Sequence, residues 1–135
     1  MRGQTAVEYA VMVAIALIIL IPIWMSVYNS VSVTREGLQS SYALHAVSRL
    51  KAAADAVYVQ GEPAKFTVIV ILPEGVESVG ISDYEIFVRL SNKAGTTDAI
   101  ATTLGPVTGN LSASPGTHRV TVRMNDTQIL ITEGE

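Results

Sequence analysis

The sequence predicts an α+β fold in which one long, hydrophobic N-terminal helix precedes a β-rich region. Two observations carry this prediction. Residues 9–34 form a run of 26 consecutive residues without Asp, Glu, Lys or Arg. After Pro63 the spacing of apolar residues changes from every third or fourth residue to every second, and alternation of this kind is typical of strands.

The uncharged run is long enough to cross a membrane. As a helix it would be about 39 Å long, and the hydrocarbon core of a bilayer is about 30 Å thick. The run also explains why the chain is 49% hydrophobic and only 16% charged, since a soluble domain carries about 25% charged residues. The composition therefore argues against a simple soluble monomer.

The helix is expected to continue beyond the uncharged run, because apolar side chains keep recurring every three to four residues with polar ones between them. We predict one helix over residues 4–59, apolar over 9–34 and amphipathic over 35–59. The apolar stripe of its second half comprises Leu38, Tyr42, Ala46, Leu50, Ala54 and Val57 or Tyr58. Pro22 removes one backbone donor and predicts a bend or local unwinding. Gly61 and Pro63 form a signal that ends the helix.

Residues 64–135 predict six or seven short strands separated by turns rich in Gly, Pro and Asn. The clearest strand patterns are residues 66–72, 84–90, 120–124 and 128–131. Asn125-Asp126 separates the last two by the spacing of a tight hairpin. So many short strands suggest a small antiparallel β-sandwich of the Ig-like type. We expect this head, residues 64–135, to fold alone as a soluble monomer.

The residues before the uncharged run form a distinctive pattern. Gly3 is followed by Gln4, and a single carboxylate, that of Glu8, lies at the margin of the apolar run. No small-residue cleavage site follows the run as it would in a secretory signal, so the run is expected to remain in the mature protein. Arg2 and the amino terminus place positive charge before the span, which predicts a cytoplasmic N-terminus and an external head.

In these residues the chain resembles the type IV pilin-like proteins, in particular the archaeal type IV pilins with their short leader. The resemblance rests on Gly3-Gln4, on Glu8 at the fifth position after Gly3, and on the layout of helix and β-rich head. It implies a leader over residues 1–3, cut between Gly3 and Gln4 by a prepilin peptidase. The bacterial Flp pilins have a similar N-terminus but are short helical subunits.

The resemblance also implies a function in assembly. The subunit would first be inserted in membrane lipid and then polymerise through its helix into an extracellular pilus for adhesion, a homo-oligomeric helical filament. Its further partners would be a pilus assembly ATPase and a platform protein. In a helix bundle, Glu8 would pair with the new amino group that cleavage frees at Gln4, of its own chain or of a neighbour. We also assign Leu38, Tyr42 and Leu50 to assembly, because they lie past the span and need the head or neighbouring subunits to cover them.

Two alternatives remain open at the level of sequence. An archaellum filament subunit shares the same layout, although the Gln4 to Glu8 segment is more similar to a pilin start. A membrane-anchored β-sandwich adhesin that never polymerises would also account for the apolar run, since any span of this length satisfies the length rule.

Neither an enzyme nor a metal protein is expected. The chain has no Cys, which excludes disulfides and thiolate metal sites, and His45 and His118 have no metal-ligand spacing around them. No nucleophile elbow or phosphate loop is present in the sequence, so we expect no catalytic residues and no cofactor. A net charge of −3 supplies no electrostatic footprint for nucleic acid. Two sequons make Asn110 and Asn125 candidate N-glycosylation sites.

The acidic residues early in the head are expected to be solvated loop residues rather than a calcium site. They are Glu74, Glu77, Asp83 and Glu85.

Overall fold

The computed structural model describes residues 2–92 and 95–134, which form one helix followed by seven strands. The helix, α1, is Arg2–Gln60. The strands are β1 (Lys65–Leu72), β2 (Val76–Ser82), β3 (Glu85–Asn92), β4 (Gly95–Thr102), β5 (Val107–Asn110), β6 (Gly116–Asn125) and β7 (Gln128–Gly134). The predicted α+β class is confirmed. The chain divides into two compact units, Met1–Glu36 and Gly37–Glu135.

The first unit is the N-terminal part of α1. Helical conformation continues through Pro22, so the local unwinding expected there is not found, and the bend stays a prediction. A proline removes one hydrogen bond of the helix ladder, and the residues on both sides of Pro22 remain helical.

The helix ends where the sequence predicts. Gly61 has φ 69°, a left-handed conformation that glycine adopts without steric cost. Its N–H donates to the Val57 carbonyl at 2.9 Å, and Ala64 N–H donates to the Gly61 carbonyl at 2.8 Å. These bonds satisfy carbonyls that the end of the helix would otherwise leave free, and they turn the chain into β1.

The strands form two sheets. The four-stranded sheet has the order β1-β6-β7-β5, and the three-stranded sheet has the order β2-β3-β4. Among the described residues, the pair β5 and β7 is parallel, whereas the other four strand pairs are antiparallel. The predicted sandwich was expected to be antiparallel throughout. Two chain reversals, between β5 and β6 and between β6 and β7, give β5 and β7 the same direction.

The assignment of strands to sheets also differs from the Ig-like arrangement. In an Ig constant-type domain the first, second, fourth and fifth strands share one sheet. Here β1 shares its sheet with the last three strands, and β2, β3 and β4 form a continuous meander. The hairpin between β6 and β7 is confirmed, with Asp126-Thr127 as the connection and Asp126 at φ 54°.

One hydrophobic core joins both sheets to the second half of α1. The helix contributes buried residues at three- to four-residue spacing, and four of these seven are alanines, whose small side chains let the helix approach the strands closely. They are Ala43, Ala46, Val47, Leu50, Ala53, Ala54 and Val57. The strands contribute alternating residues, such as Val120 and Val122 of β6 and Ile129 and Ile131 of β7.

Polar contacts fix α1 within the second unit at both sheets. Arg49 donates from Nη1 to the Ile69 carbonyl of β1 at 2.9 Å. Lys51 donates from Nζ to the Thr102 carbonyl of β4 at 2.8 Å. Asp55 accepts the Leu104 N–H at 2.8 Å, which holds the β4–β5 connection against the helix.

This packing corrects the predicted division of the chain. We expected the head to begin at residue 64, but the compact unit begins at Gly37. Because Val47, Leu50 and Val57 are buried in the same core as the strands, residues 64–135 alone would expose that core to water. This packing argues against the expectation that the segment folds by itself, and that expectation stays untested.

Candidate assembly surface

Residues 9–25 of the first unit present an almost wholly apolar surface. The large hydrophobic side chains of the unit, from Val7 to Val33, are between 40% and 72% exposed. Among the described residues, α1 is the single helix that is long and apolar enough to cross a membrane. Its most apolar segment, with mean hydropathy 2.7, is 0% buried. The core helix of a soluble protein can be equally long and apolar, but the rest of the protein would cover its surface. This surface is free to contact lipid or other helices.

Hydroxyl groups toward the end of the apolar run are satisfied within the helix itself. Ser30 donates to the Ser26 carbonyl at 2.9 Å, Ser32 to the Asn29 carbonyl at 2.8 Å, and Thr34 to the Ser30 carbonyl at 2.9 Å. A hydroxyl bonded to its own helix needs no partner from water. These positions can therefore enter lipid or a helix bundle without leaving an unsatisfied donor.

A shallow groove lies along the same part of the helix. It is lined by small, β-branched and polar side chains, namely Ser26, Val27, Ser30, Val31, Thr34 and Arg35. Small side chains permit close approach of a neighbouring helix, which is how helices associate where no hydrophobic gain drives them. Ser26, Ser30 and Thr34 recur at four-residue intervals, which places them on one face of the helix. This spacing is the sequence signal for the groove, and the residues of the groove were not predicted from it.

The predicted cleavage site lies in the first turns of α1. Gly3 and Gln4 are exposed, and a Cβ added at Gly3 would meet nothing within 4 Å. Of the predicted leader, Met1 lies outside the described residues. Because helix ends fray, the Gly3–Gln4 bond is in the part of the helix that opens most readily.

Glu8 is exposed one turn beyond Gln4, at the (i, i+4) spacing that places both on one face of the helix. Within residues 2–92 and 95–134 its carboxylate has no hydrogen bond or ion pair. A carboxylate bordering an apolar run is costly without a partner. The predicted pairing of Glu8 with the amino group that cleavage would free at Gln4 stays a prediction.

The three residues expected at the subunit contact in the second half of the helix differ in burial. Leu50 is 0% exposed, so its prediction as an assembly residue is wrong, because it packs in the chain's own core. Leu38 is 53% exposed and Tyr42 is also exposed. Leu44, which we did not assign to assembly, is exposed beside them in sequence.

Tyr42 also lines a groove between α1 and the edge strand β1, which we call the helix–edge groove. Its other lining residues are His45, Ala46, Arg49, Ile69, Val70 and Ile71. Ile69 and Ile71 are exposed on the outer side of β1, and β1 is at the edge of its sheet. An edge strand with exposed apolar residues is a template for association. The apolar surface of the second unit thus includes part of β1 as well as the helix.

The buried ionic group of the head serves its structure. His118 is 6% exposed, and its Nδ1 and Nε2 lie against the Glu133 carboxylate and the Ser114 carbonyl respectively. Burial lowers the pKa of His118, but the hydrogen bonds to Glu133 and Ser114 outweigh it, and the net pKa is raised. The hydrogen bond from His118 lowers the pKa of Glu133, and the Ser112 N–H lowers it further.

The remaining candidates are surface positions. Asn110 at the end of β5 and Asn125 at the end of β6 are both exposed, and their glycosylation stays a prediction. Among the described residues no group of three or more His, Asp or Glu could hold a metal ion.

Comparison with known proteins finds no matching family model, no matching characterised protein and no matching solved structure.

Proposed function

We propose that this chain is the structural subunit of an archaeal type IV pilus. It is inserted in the membrane through the apolar part of α1, loses residues 1–3 to a prepilin peptidase, and polymerises into an extracellular filament used for adhesion. The N-terminal resemblance supplies the family, through Gly3, Gln4 and Glu8. The physical argument comes from the distribution of exposed apolar surface.

The observation that carries the proposal is the exposure of Leu38, Tyr42 and Leu44 beyond the uncharged run. Arg35 and Glu36 end that run, so lipid does not account for apolar side chains placed after them. A membrane-anchored monomer would leave these side chains in water. Neighbouring copies would cover them, as they would cover the apolar surface of the first unit.

The test is to place charge in that contact. In a host that assembles archaeal type IV pili, Leu38→Glu combined with Tyr42→Glu should abolish filaments while the protein remains in membranes. Burying an unpaired carboxylate costs several kcal/mol, and the cost recurs at every subunit of a filament. Filaments sheared from cells are counted by electron microscopy, and the membrane fraction is measured by immunoblotting.

Ile100→Glu combined with Tyr84→Glu is the matched control. Ile100 is 52% exposed, against 53% for Leu38, and Tyr84 is 52% exposed, against 48% for Tyr42. Both double variants therefore replace one aliphatic and one tyrosine side chain of similar exposure by carboxylates. We expect normal filaments from the control. Normal assembly of the Leu38→Glu, Tyr42→Glu variant, or wild-type cells that bear no filament containing this chain, would favour the anchored adhesin instead.

A further inference from the structure

The outer side of the four-stranded sheet carries a group of cationic and hydroxyl side chains, of which Thr121 is half-buried and the others are exposed. Antiparallel register places them side by side across three neighbouring strands. We call this group the basic face, and it consists of Lys65, Thr67, Arg119, Thr121, Arg123 and Thr132. The alternate residues of the same strands, such as Val120 and Val122, are buried in the core. The basic face thus lies on the side of the sheet turned away from the core, where Ile69 and Ile71 of β1 and Leu130 of β7 are also found.

The positive charge of this face is unbalanced. No Asp or Glu occupies an outward position on β1, β5, β6 or β7 among the described residues. Within residues 2–92 and 95–134, the side chains of Lys65, Arg119 and Arg123 make no hydrogen bond or ion pair. By contrast, Arg89 forms a two-bond pair with Asp98, at 2.8 Å for each bond. Three unpaired cations share one surface of a chain whose net charge is −3.

Two of these cations directly oppose each other. Lys65 on β1 pairs in register with Arg123 on β6, and like charges opposite each other across two strands destabilise a sheet. Arg119 lies four residues along β6, about 13 Å away at the usual rise of a strand. An anionic group between Lys65 and Arg123 would replace their repulsion by attraction, and a polymer could reach Arg119 with a second anionic group.

The side chains between the cations suit a hydroxylated ligand. Thr67, Thr121 and Thr132 form a row across the three strands, because Thr121 is the register partner of both others. A threonine hydroxyl both donates and accepts hydrogen bonds. At the described outward positions of these strands there is no aromatic side chain on which a base could stack, and single-stranded nucleic acids are bound largely by such stacking.

We propose that the basic face binds an acidic polysaccharide, whose carboxylate or sulfate groups contact Lys65, Arg119 and Arg123 while its hydroxyl groups contact the threonine row. The opposed Lys65–Arg123 pair gives the face its preference for an anion, and the hydroxyl row gives it a preference for a saccharide. This inference adds a class of target to the adhesive function proposed above, and it rests on that function only for the exposure of the head outside the cell.

Binding is measured with the full chain purified in a neutral detergent, so that filament assembly does not enter the result. The immobilised probes are heparin, polygalacturonate and neutral dextran. Wild type should bind the two acidic polymers and not dextran, and its binding should weaken as salt rises, because salt screens exposed charges. Arg119→Gln with Arg123→Gln should bind about tenfold more weakly, as expected for the loss of two exposed ionic contacts.

Two further variants make the result specific. Lys51→Gln with Arg89→Gln changes the net charge equally but touches cations that already have partners away from this face, so its affinity should stay within about twofold of wild type. Arg119→Lys with Arg123→Lys keeps the charge and should retain most of the binding. Circular dichroism of each variant confirms that the head is folded.

The proposal is overturned if wild type fails to bind the acidic polymers, binds dextran equally well, or is weakened equally by the control pair. Binding of single-stranded DNA as tight as that of polygalacturonate would overturn the saccharide assignment. Loss of self-association in the Arg119→Gln, Arg123→Gln variant, without polysaccharide binding by wild type, would make this face a contact between copies. None of these outcomes depends on whether the chain forms pili.

Discussion

His118 needs a proton on both ring nitrogens, because each nitrogen faces a hydrogen-bond acceptor. Nδ1 donates to a Glu133 carboxylate oxygen, and Nε2 donates to the Ser114 carbonyl at 2.7 Å. With Glu133 ionised, a neutral imidazole has only one N–H to offer to these two acceptors. The Glu133 carboxylate also accepts the Ser112 N–H at 2.9 Å. One ion pair therefore holds the β5–β6 connection against β6 and β7.

The pH dependence of stability follows from the two pKa shifts. The pKa of His118 is raised, so its contribution is complete below the ordinary value of about 6.5 and is lost as pH rises through the raised value. The pKa of Glu133 is lowered, so its contribution is complete above about 4.3 and is lost as pH falls through the lowered value. The pair stabilises the fold most between these ordinary values.

We therefore expect Glu133→Gln to lower stability most near pH 5.5 and much less at pH 9. The loss near pH 5.5 should be about 1 kcal/mol, a value at the low end for a charge-assisted hydrogen bond because Glu133 is partly exposed. The measurement is thermal unfolding of the full chain in detergent at both pH values. Glu85→Gln, an exposed change on β3, should show no such dependence. An equal loss at both pH values would contradict the ionic account.

Glu8 provides the second prediction at the level of a single residue. Glu8→Gln keeps the shape of the side chain but removes its charge, so it should reduce the number of filaments without preventing membrane insertion. Filament counts and the membrane fraction are compared with those of wild type. Glu36→Gln, which lies at the other end of the uncharged run, is the control for the loss of one carboxylate. Wild-type filament numbers from Glu8→Gln would exclude an essential ion pair.

Among the elements, α1 shows what the sequence can and cannot predict. The length of α1 follows from the spacing of its apolar residues. Its end at Gln60 follows from the stop signal Gly61-Glu62-Pro63. The apolar stripe does not show which of its residues pack on the chain's own sheets. Leu38 and Leu50 are both leucines of that stripe, and the sequence pattern does not distinguish them. Only the position of the strands, set by long-range pairing, buries Leu50 and leaves Leu38 exposed.

The edge strand β1 shows the same limit for the candidate site. Its run of Val, Ile and Leu is typical of a strand buried on both sides, yet Ile69 and Ile71 are exposed. The sequence does not specify that β1 lies at the edge of its sheet. Helical spacing alone predicts Tyr42 as an assembly residue. The exposure of Ile69 and Ile71 beside it in the helix–edge groove depends on the position of β1 and does not follow from the sequence.

The different positions of Leu38 and Leu50 lead to a prediction for the helix. Leu50→Ala should destabilise the second unit by about 2–5 kcal/mol, because it removes a fully buried side chain and leaves a cavity. Leu38→Ala should change stability by no more than about 0.5 kcal/mol, as exposed positions usually do. Denaturant unfolding of the two variants in detergent gives both values. Similar values for the two would mean that the helix does not pack on the sheets as described.

At the scale of the whole molecule, the chain divides within its helix and not at the helix–strand junction. Residues 37–60 supply buried side chains to the same core as the two sheets. The first unit has its large apolar side chains exposed, so it needs lipid, detergent or other helices around it. One continuous helix thus serves two purposes, as an apolar surface before residue 37 and as a component of the core after it.

This division predicts how truncated chains behave. A chain of residues 37–135 retains Val47, Leu50 and Val57 in the core and lacks the apolar run, so it should be soluble and fold cooperatively, with both helix and sheet visible by circular dichroism. A chain of residues 64–135 exposes to water the core surface that the helix covers, and should be unfolded or aggregated. Since about 25 cal/mol is lost per Å² of apolar surface left uncovered, a marginal stability of roughly 5–15 kcal/mol would not survive the loss of seven buried side chains. Cooperative unfolding of residues 64–135 with the same midpoint as residues 37–135 would show that the helix adds nothing to the core.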